Sequence, residues 1–171
     1  MSEQGTVRQA LHELLMTYVR GADRGDPTIM KSAFHADGRM ETGLADPAIE
    51  RYAAEMVERT RSAYRTMYHS ISNESYEIFG DRARGECYVT AFAVTAGQDS
   101  QEITAGGRYL DQFERREGIW KIRHRRYIQD WRTSRPAQQD ATTHGPTVRG
   151  AFYPDDPAHD FWARPLAALD G

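Results

Sequence analysis

Four segments of the chain, roughly 66–79, 82–96, 101–116 and 119–133, alternate apolar and polar residues with the two-residue period of a β-strand. Only "GDR", "TAGQDSQ" and "REGIW" separate them, each carrying Gly or Asp at a length suited to an antiparallel hairpin. A meander of this kind has one apolar face, and that face needs a second layer. The residues before 64 supply it. From Thr6 to Arg24, Leu11, Leu14, Leu15, Tyr18, Val19 and Ala22 recur at helical spacing, with Thr6 placed as N-cap. "GADRGD" ends that helix, "DPTIMKSAF" reads as a short second one with Pro27 in its first turn, and "HADGRMET" turns into a brief strand. A third helix, "DPAIERYAAEMVERTRSA", opens with Asp46 as N-cap and Pro47 at its first position, and Ile49, Tyr52, Ala53, Met56 and Val57 form its apolar stripe. Helices first and a meander afterwards predict an α+β domain in which a curved antiparallel sheet wraps over helices on one face. Gly106 and Gly107, inside the third long strand, mark a bulge or sharp bend that such curvature requires.

The chain of 171 residues is long enough for one sizeable core. From Pro136 the sequence becomes rich in Pro, Gly and Asp yet keeps Phe152, Tyr153, Phe161 and Trp162. The expected division is therefore a domain over 1–134 and an extension over 135–171 that packs on the domain or on a partner subunit. A net charge of -3 creates no field to draw in nucleic acid or an anionic membrane. The single cysteine, Cys87, and the polar start "MSEQGTVRQ" point to the cytoplasm, and no window approaches the roughly 18 apolar residues that a spanning helix needs.

His69 interrupts an otherwise apolar strand face. Strand alternation groups it with Met67, Ile71 and Asn73, the more apolar set, so its ring is expected to point inward. An inward histidine is ordinarily a hydrogen-bonded core residue. Asp23 changes that reading: it lies at the border of the first helix's apolar stripe, in the last turn, where the helix dipole disfavours a carboxylate. A carboxylate held there needs a partner, and an imidazole from the opposing sheet is a suitable one. Such a pair is a base oriented by an acid. Tyr18, central in the same stripe, is either core filler or a proton donor. On the last strand Trp120, Ile122 and His124 alternate with Lys121, Arg123 and Arg125, which puts His124 on the apolar face and the basic residues outside. Gly85, Cys87, Val89, Ala91 and Ala93 give the second long strand a face of small residues that leaves room for a ligand and would equally let helices pack closely. The chain contains no GxGxxG, no GxxxxGK, no GxSxG and no HExxH, and His12, His35, His69, His124, His144 and His159 show no metal-ligand spacing. The chemistry expected is therefore free of cofactor and metal.

"LHELLMTYVRGADRGD", "AFHADGRMET" and the closing "GGRYLDQFERREGIWKIRHRRYIQDW" resemble the SnoaL-like proteins of the nuclear transport factor 2-like superfamily. The resemblance covers 6 to about 133. It implies N-terminal helices packed in the concave face of a strongly curved antiparallel or mixed sheet, a cone-shaped α+β barrel. In the dehydratase-like members an Asp at the end of the first helix pairs with a His on the strand after the third, which puts Asp23 and His69 in those roles. In another member of that superfamily, hexachlorocyclohexane dehydrochlorinase, a lysine precedes this aspartate, and it has no counterpart in "MTYVRG". The implied activity is a cofactor-independent lyase or isomerase, dehydration first, acting on a hydrophobic cyclic small molecule. Its catalytic residues would be Asp23, His69 and Tyr18, with His124, Asn73, Tyr64, Met67, Val89 and Trp131 binding the substrate. A homodimer or higher homo-oligomer is expected. The competing expectation is a non-catalytic ligand-binding or structural module, such as the small subunit of a ring-hydroxylating dioxygenase, in which Asp23 and His69 are a buried structural pair.

Overall fold

The computed structural model describes residues 3–43, 45, 47–138 and 148–165. Helices α1 (Glu3–Arg24), α2 (Pro27–Ser32) and α3 (Ile49–Ala63) pack on one face of a sheet formed by β1 (Phe34–Thr42), β2 (Tyr64–Phe79), β3 (Arg82–Thr95), β4 (Gln101–Arg116) and β5 (Ile119–Pro136); a short α4 (Pro157–Ala163) follows. The strand order is β1-β5-β4-β3-β2, antiparallel along the meander and parallel only where β1 meets β5. The sheet is therefore mixed and open, with β1 and β2 as its edges. The α1 stripe sinks into its concave face, with Leu11, Leu15, Tyr18, Val19 and Ala22 buried. Among the described residues no helix is long and apolar enough to cross a membrane.

Local signals set most of the boundaries. Asp26 caps α2, its Oδ1 accepting from the backbone N–H groups of Thr28 at 2.8 Å and Ile29 at 3.1 Å. Two expected caps differ. Thr6 lies within α1, which starts at Glu3, and α3 begins after Ala48, which contributes no side-chain bond. Asp46, the expected cap of α3, lies outside the described residues.

Bulges change what two strands present. Between Ser72 and Ser75 two residues of β2 face one of β3, and Asn73 adopts a φ of 53°. Met67, His69 and Ile71 face the helices before the bulge; after it Tyr76 and Ile78 do so, where simple alternation turns Asn73 inward. Asn73 is exposed instead. Glu74 turns inward and is met by His12 Nδ1 at 2.8 Å and by the Tyr76 hydroxyl, which donates at 2.6 Å. A second irregularity pairs Gln112 with His124 but Phe113 with Ile122, so Arg123 is skipped. The alternation that predicts His124 inside and Arg125 outside fails at that residue. Arg125 is fully buried, while His124 lies on the outer face, 3.5 Å from Glu41.

A buried guanidinium requires compensation. Asp111 provides it through two bonds of 2.7 Å, and the rings of Tyr18 and Tyr109 pack on the guanidinium at 4.4 and 4.1 Å. Burial opposes the charge on Arg125, but Asp111 outweighs it and holds the pKa above the ordinary value. The described part of the extension, 148–165, packs against the end of α1. Tyr153 donates its backbone N–H to Arg24 O at 2.6 Å, Asp156 lies 3.5 Å from Arg24, and Arg20 stands over the Trp162 ring at 5.0 Å.

Two substitutions test this packing. A Cβ at Gly21 would lie 2.3 Å from the backbone N of Met30. Gly21→Ala gains about 1 kcal/mol of helix propensity but must separate α1 from α2, so a net loss of about 2 kcal/mol is expected in urea denaturation. Arg125→Met strands the Asp111 carboxylate and should cost about 3–5 kcal/mol, whereas Arg125→Met with Asp111→Leu should recover more than half of the loss.

Candidate active site at the Asp23 and His69 pair

Asp23 and His69 come together from two elements that the chain separates by 46 positions. Asp23 stands in the last turn of α1, and β2 is an edge strand whose outer backbone groups lack a partner strand. Asp23 Oδ2 accepts the backbone N–H of His69 at 3.0 Å, while Oδ1 lies 2.6 Å from His69 Nδ1. A carboxylate can only accept, so Nδ1 carries the proton and Nε2 keeps the lone pair in the neutral ring. The two contacts fix both position and tautomer. Each side chain retains slight exposure, 13% for Asp23 and 12% for His69.

The imidazole borders a cavity of about 140 Å³. Tyr18, Tyr52, Tyr109 and Tyr127 supply phenols to its lining, and Met40, Val89 and Ala91 supply apolar surface. Tyr18 and Tyr52 interact through their hydroxyls. Burial, reinforced by Tyr52 and Tyr109, holds the Tyr18 pKa well above its ordinary value; burial also raises Tyr52, Tyr109 and Tyr127. All four stay protonated as hydrogen-bond donors at neutral pH. Arg125, pressed against Tyr18 and Tyr109, opposes the rise at both. The arrangement is an imidazole with an oriented carboxylate behind it and phenol donors around a small cavity, the parts that acid-base chemistry requires.

The residues expected to bind substrate divide. Val89 lines the cavity, and Met67 packs on the core from the same face of β2. Tyr64 sits half buried where α3 passes into β2. Asn73 is exposed on its bulge. His124 and Trp131 lie on the opposite face of the sheet, Trp131 against Gly106, where a Cβ would come within 2.3 Å of the indole. For these three the structure corrects the expectation: bulges at Asn73 and at Arg123 break the alternation on which the first two assignments rest, and Trp131 pairs with Gly106 on the outer face. Tyr52 was readable only as part of the α3 stripe, and nothing local marked Tyr109 or Tyr127. Arg125 carried no signal, since "KIRHRR" reads as a solvated run.

Two larger grooves, about 420 and 570 Å³, cross the outer face of the sheet. They are lined by charged side chains engaged with one another, such as Arg84 with Glu77, and lie away from the dyad. Among the described residues no three His, Cys, Asp or Glu side chains are grouped to hold a metal ion.

Solved structures share this architecture. Hexachlorocyclohexane dehydrochlorinase of type 3 from Novosphingobium barchaimii superposes with a TM-score of 0.69 at 19% identity, over 84% of this chain and 97% of its own. A protein assigned as a scytalone dehydratase, from Novosphingobium aromaticivorans, gives 0.69 at 17% identity over 84% of this chain and all of its own. A protein of unknown function from Mycobacterium tuberculosis gives 0.66 at 22%, over 75% and 74%. At these identities the likeness is one of fold. No curated protein sequence matches the chain. The SnoaL-like domain matches residues 4–126, most of the helices and sheet described above, and the chain belongs to that family.

Proposed function

We propose that the protein is a cofactor-independent lyase or isomerase, a dehydratase in the first instance, acting on a hydrophobic cyclic small molecule. The observation that carries this reading is the 2.6 Å contact of Asp23 with His69 Nδ1 at the wall of a cavity that the ring itself lines. His69 Nε2 takes a proton from a carbon next to a carbonyl. The electron pair of that C–H bond moves toward the carbonyl as an enolate, and Asp23 stabilises the imidazolium that results. In dehydration the enolate collapses to a C=C bond as the C–O bond on the next carbon breaks, and the departing hydroxide leaves as water with a proton from Tyr18 or from the imidazolium. In isomerisation the same proton returns to a different carbon. The titrable machinery is common to both, and only the fate of the anion differs.

The second reading, a non-catalytic ligand-binding or structural module, draws on the bond between Asp23 and the His69 backbone, which ties α1 to the edge of the sheet whether or not the ring reacts. Further elements of our proposal are self-association through the outer sheet face, where Tyr68, Tyr88 and Trp131 are each about half exposed, and residence in the cytoplasm. The thiol of Cys87 is buried, and burial pushes its pKa up to about 12, which keeps it an inert core residue.

Asp23→Asn and His69→Ala should each lower solvent-deuterium exchange at the carbon next to the carbonyl of a cyclic ketone by roughly 10²- to 10⁴-fold, with circular dichroism unchanged. Exchange that is indifferent to both substitutions would leave the structural reading in its place.

A further inference from the structure

The cavity beside His69 limits what can enter it. Its volume of about 140 Å³ is close to the roughly 150 Å³ that houses a single benzene ring in an apolar protein interior. Pockets for drug-sized molecules begin at roughly 300 Å³, about twice as large. The walls resist expansion: Tyr18, Met40, Val89 and Tyr109 are all at least 96% buried. Tyr18 and Tyr109 moreover both pack on Arg125 and edge-to-face on each other, and Asp111 holds Arg125 by two bonds. A close-packed core of this kind does not open by a ring's width at small cost. The space at the reacting position therefore fits one ring.

The lining also selects for chemistry. A pure hydrocarbon would fill the space against Met40, Val89 and Ala91 but leave the surrounding phenols without a new acceptor. Desolvating a hydroxyl without a partner is unfavourable, whereas an oxygen on the ligand would satisfy one. Tyr18 and Tyr52 are already coupled to each other and offer two hydroxyls at one place.

We infer that the ligand of this site is a single six-membered carbocycle bearing a carbonyl oxygen, seated with the oxygen toward the Tyr18 and Tyr52 hydroxyls and an adjacent C–H toward His69 Nε2. The orientation rests on the acid-base reading of the dyad; the size and the need for an oxygen do not.

The test is binding of four probes to the full-length protein, followed by NMR of the His69 ring: cyclohexanone, methylcyclohexane, 1-decalone and a 3-ketosteroid. Cyclohexanone is expected to saturate the His69 shift, with methylcyclohexane at least about tenfold weaker and the other two silent. Ala91→Leu, which places a side chain into the cavity, should weaken cyclohexanone at least about tenfold. Val89→Ala, which enlarges the cavity, should admit 1-decalone. It decides the question independently if the leucine variant fails to fold. A 3-ketosteroid that shifts His69 as strongly as cyclohexanone would overturn the inference, as would a cyclohexanone effect equalled by methylcyclohexane or no cyclohexanone binding at all. Cyclohexanone that binds without acquiring deuterium above the rate in protein-free buffer leaves the size and oxygen assignment standing and counts against the proposed function instead.

Discussion

A fully buried guanidinium organises the inner side of this molecule. Arg125 cannot lie in the core without both an anion and rings to cover it, and the chain meets the requirement from two elements: Asp111 and Tyr109 on β4 and Tyr18 on α1. That single need fixes the register of β5 against β4 and the depth at which α1 sits in the sheet. It also turns two phenols into the rigid walls of the cavity. The charge thus connects packing to recognition, since the residues that neutralise and cover it are partly those that a ligand would meet.

Asp23 joins structure to chemistry in a second way. One carboxylate oxygen satisfies the backbone N–H of an edge strand, and the other holds the ring of the same residue. The first contact orders the pair without any contribution from the ring. The second sets the tautomer that leaves Nε2 facing outward from the carboxylate. A carboxylate that is already anchored by a backbone contact loses little freedom when it holds the ring, so the pair is preorganised.

The main elements were legible because their signals are local. The α1 stripe, the Asp26 and Pro27 start of α2, and the four strands of the meander all follow from periodicity and turn chemistry within windows of a few residues. The bend at Gly106 and Gly107 was legible for the same reason: a Cβ on Gly107 would lie 2.2 Å from Ile128 O, so only glycine fits. Asp23 and His69 were legible as misfits, a carboxylate at the wrong end of a helix and an imidazole on an apolar face. Misfits of this kind point to partners, and these two found each other.

Faces beyond a bulge were not legible. Strand alternation is a parity rule, and one unpaired residue reverses it for everything downstream. The bulge at Asn73 put that side chain outside and Glu74 inside, and the skip at Arg123 exchanged His124 for Arg125. Neither bulge residue is a glycine, so no composition cue announced the reversal. Likewise, Tyr52, Tyr109 and Tyr127 share a cavity only because α3, β4 and β5 converge there, a relation between segments that no local window contains. The sequence by itself determined the elements, their order and the two residues out of place, because each depends on near neighbours in the chain. Tertiary structure decided which side chains line the site and how small it is, because both depend on strand register and on the compensation of one buried charge.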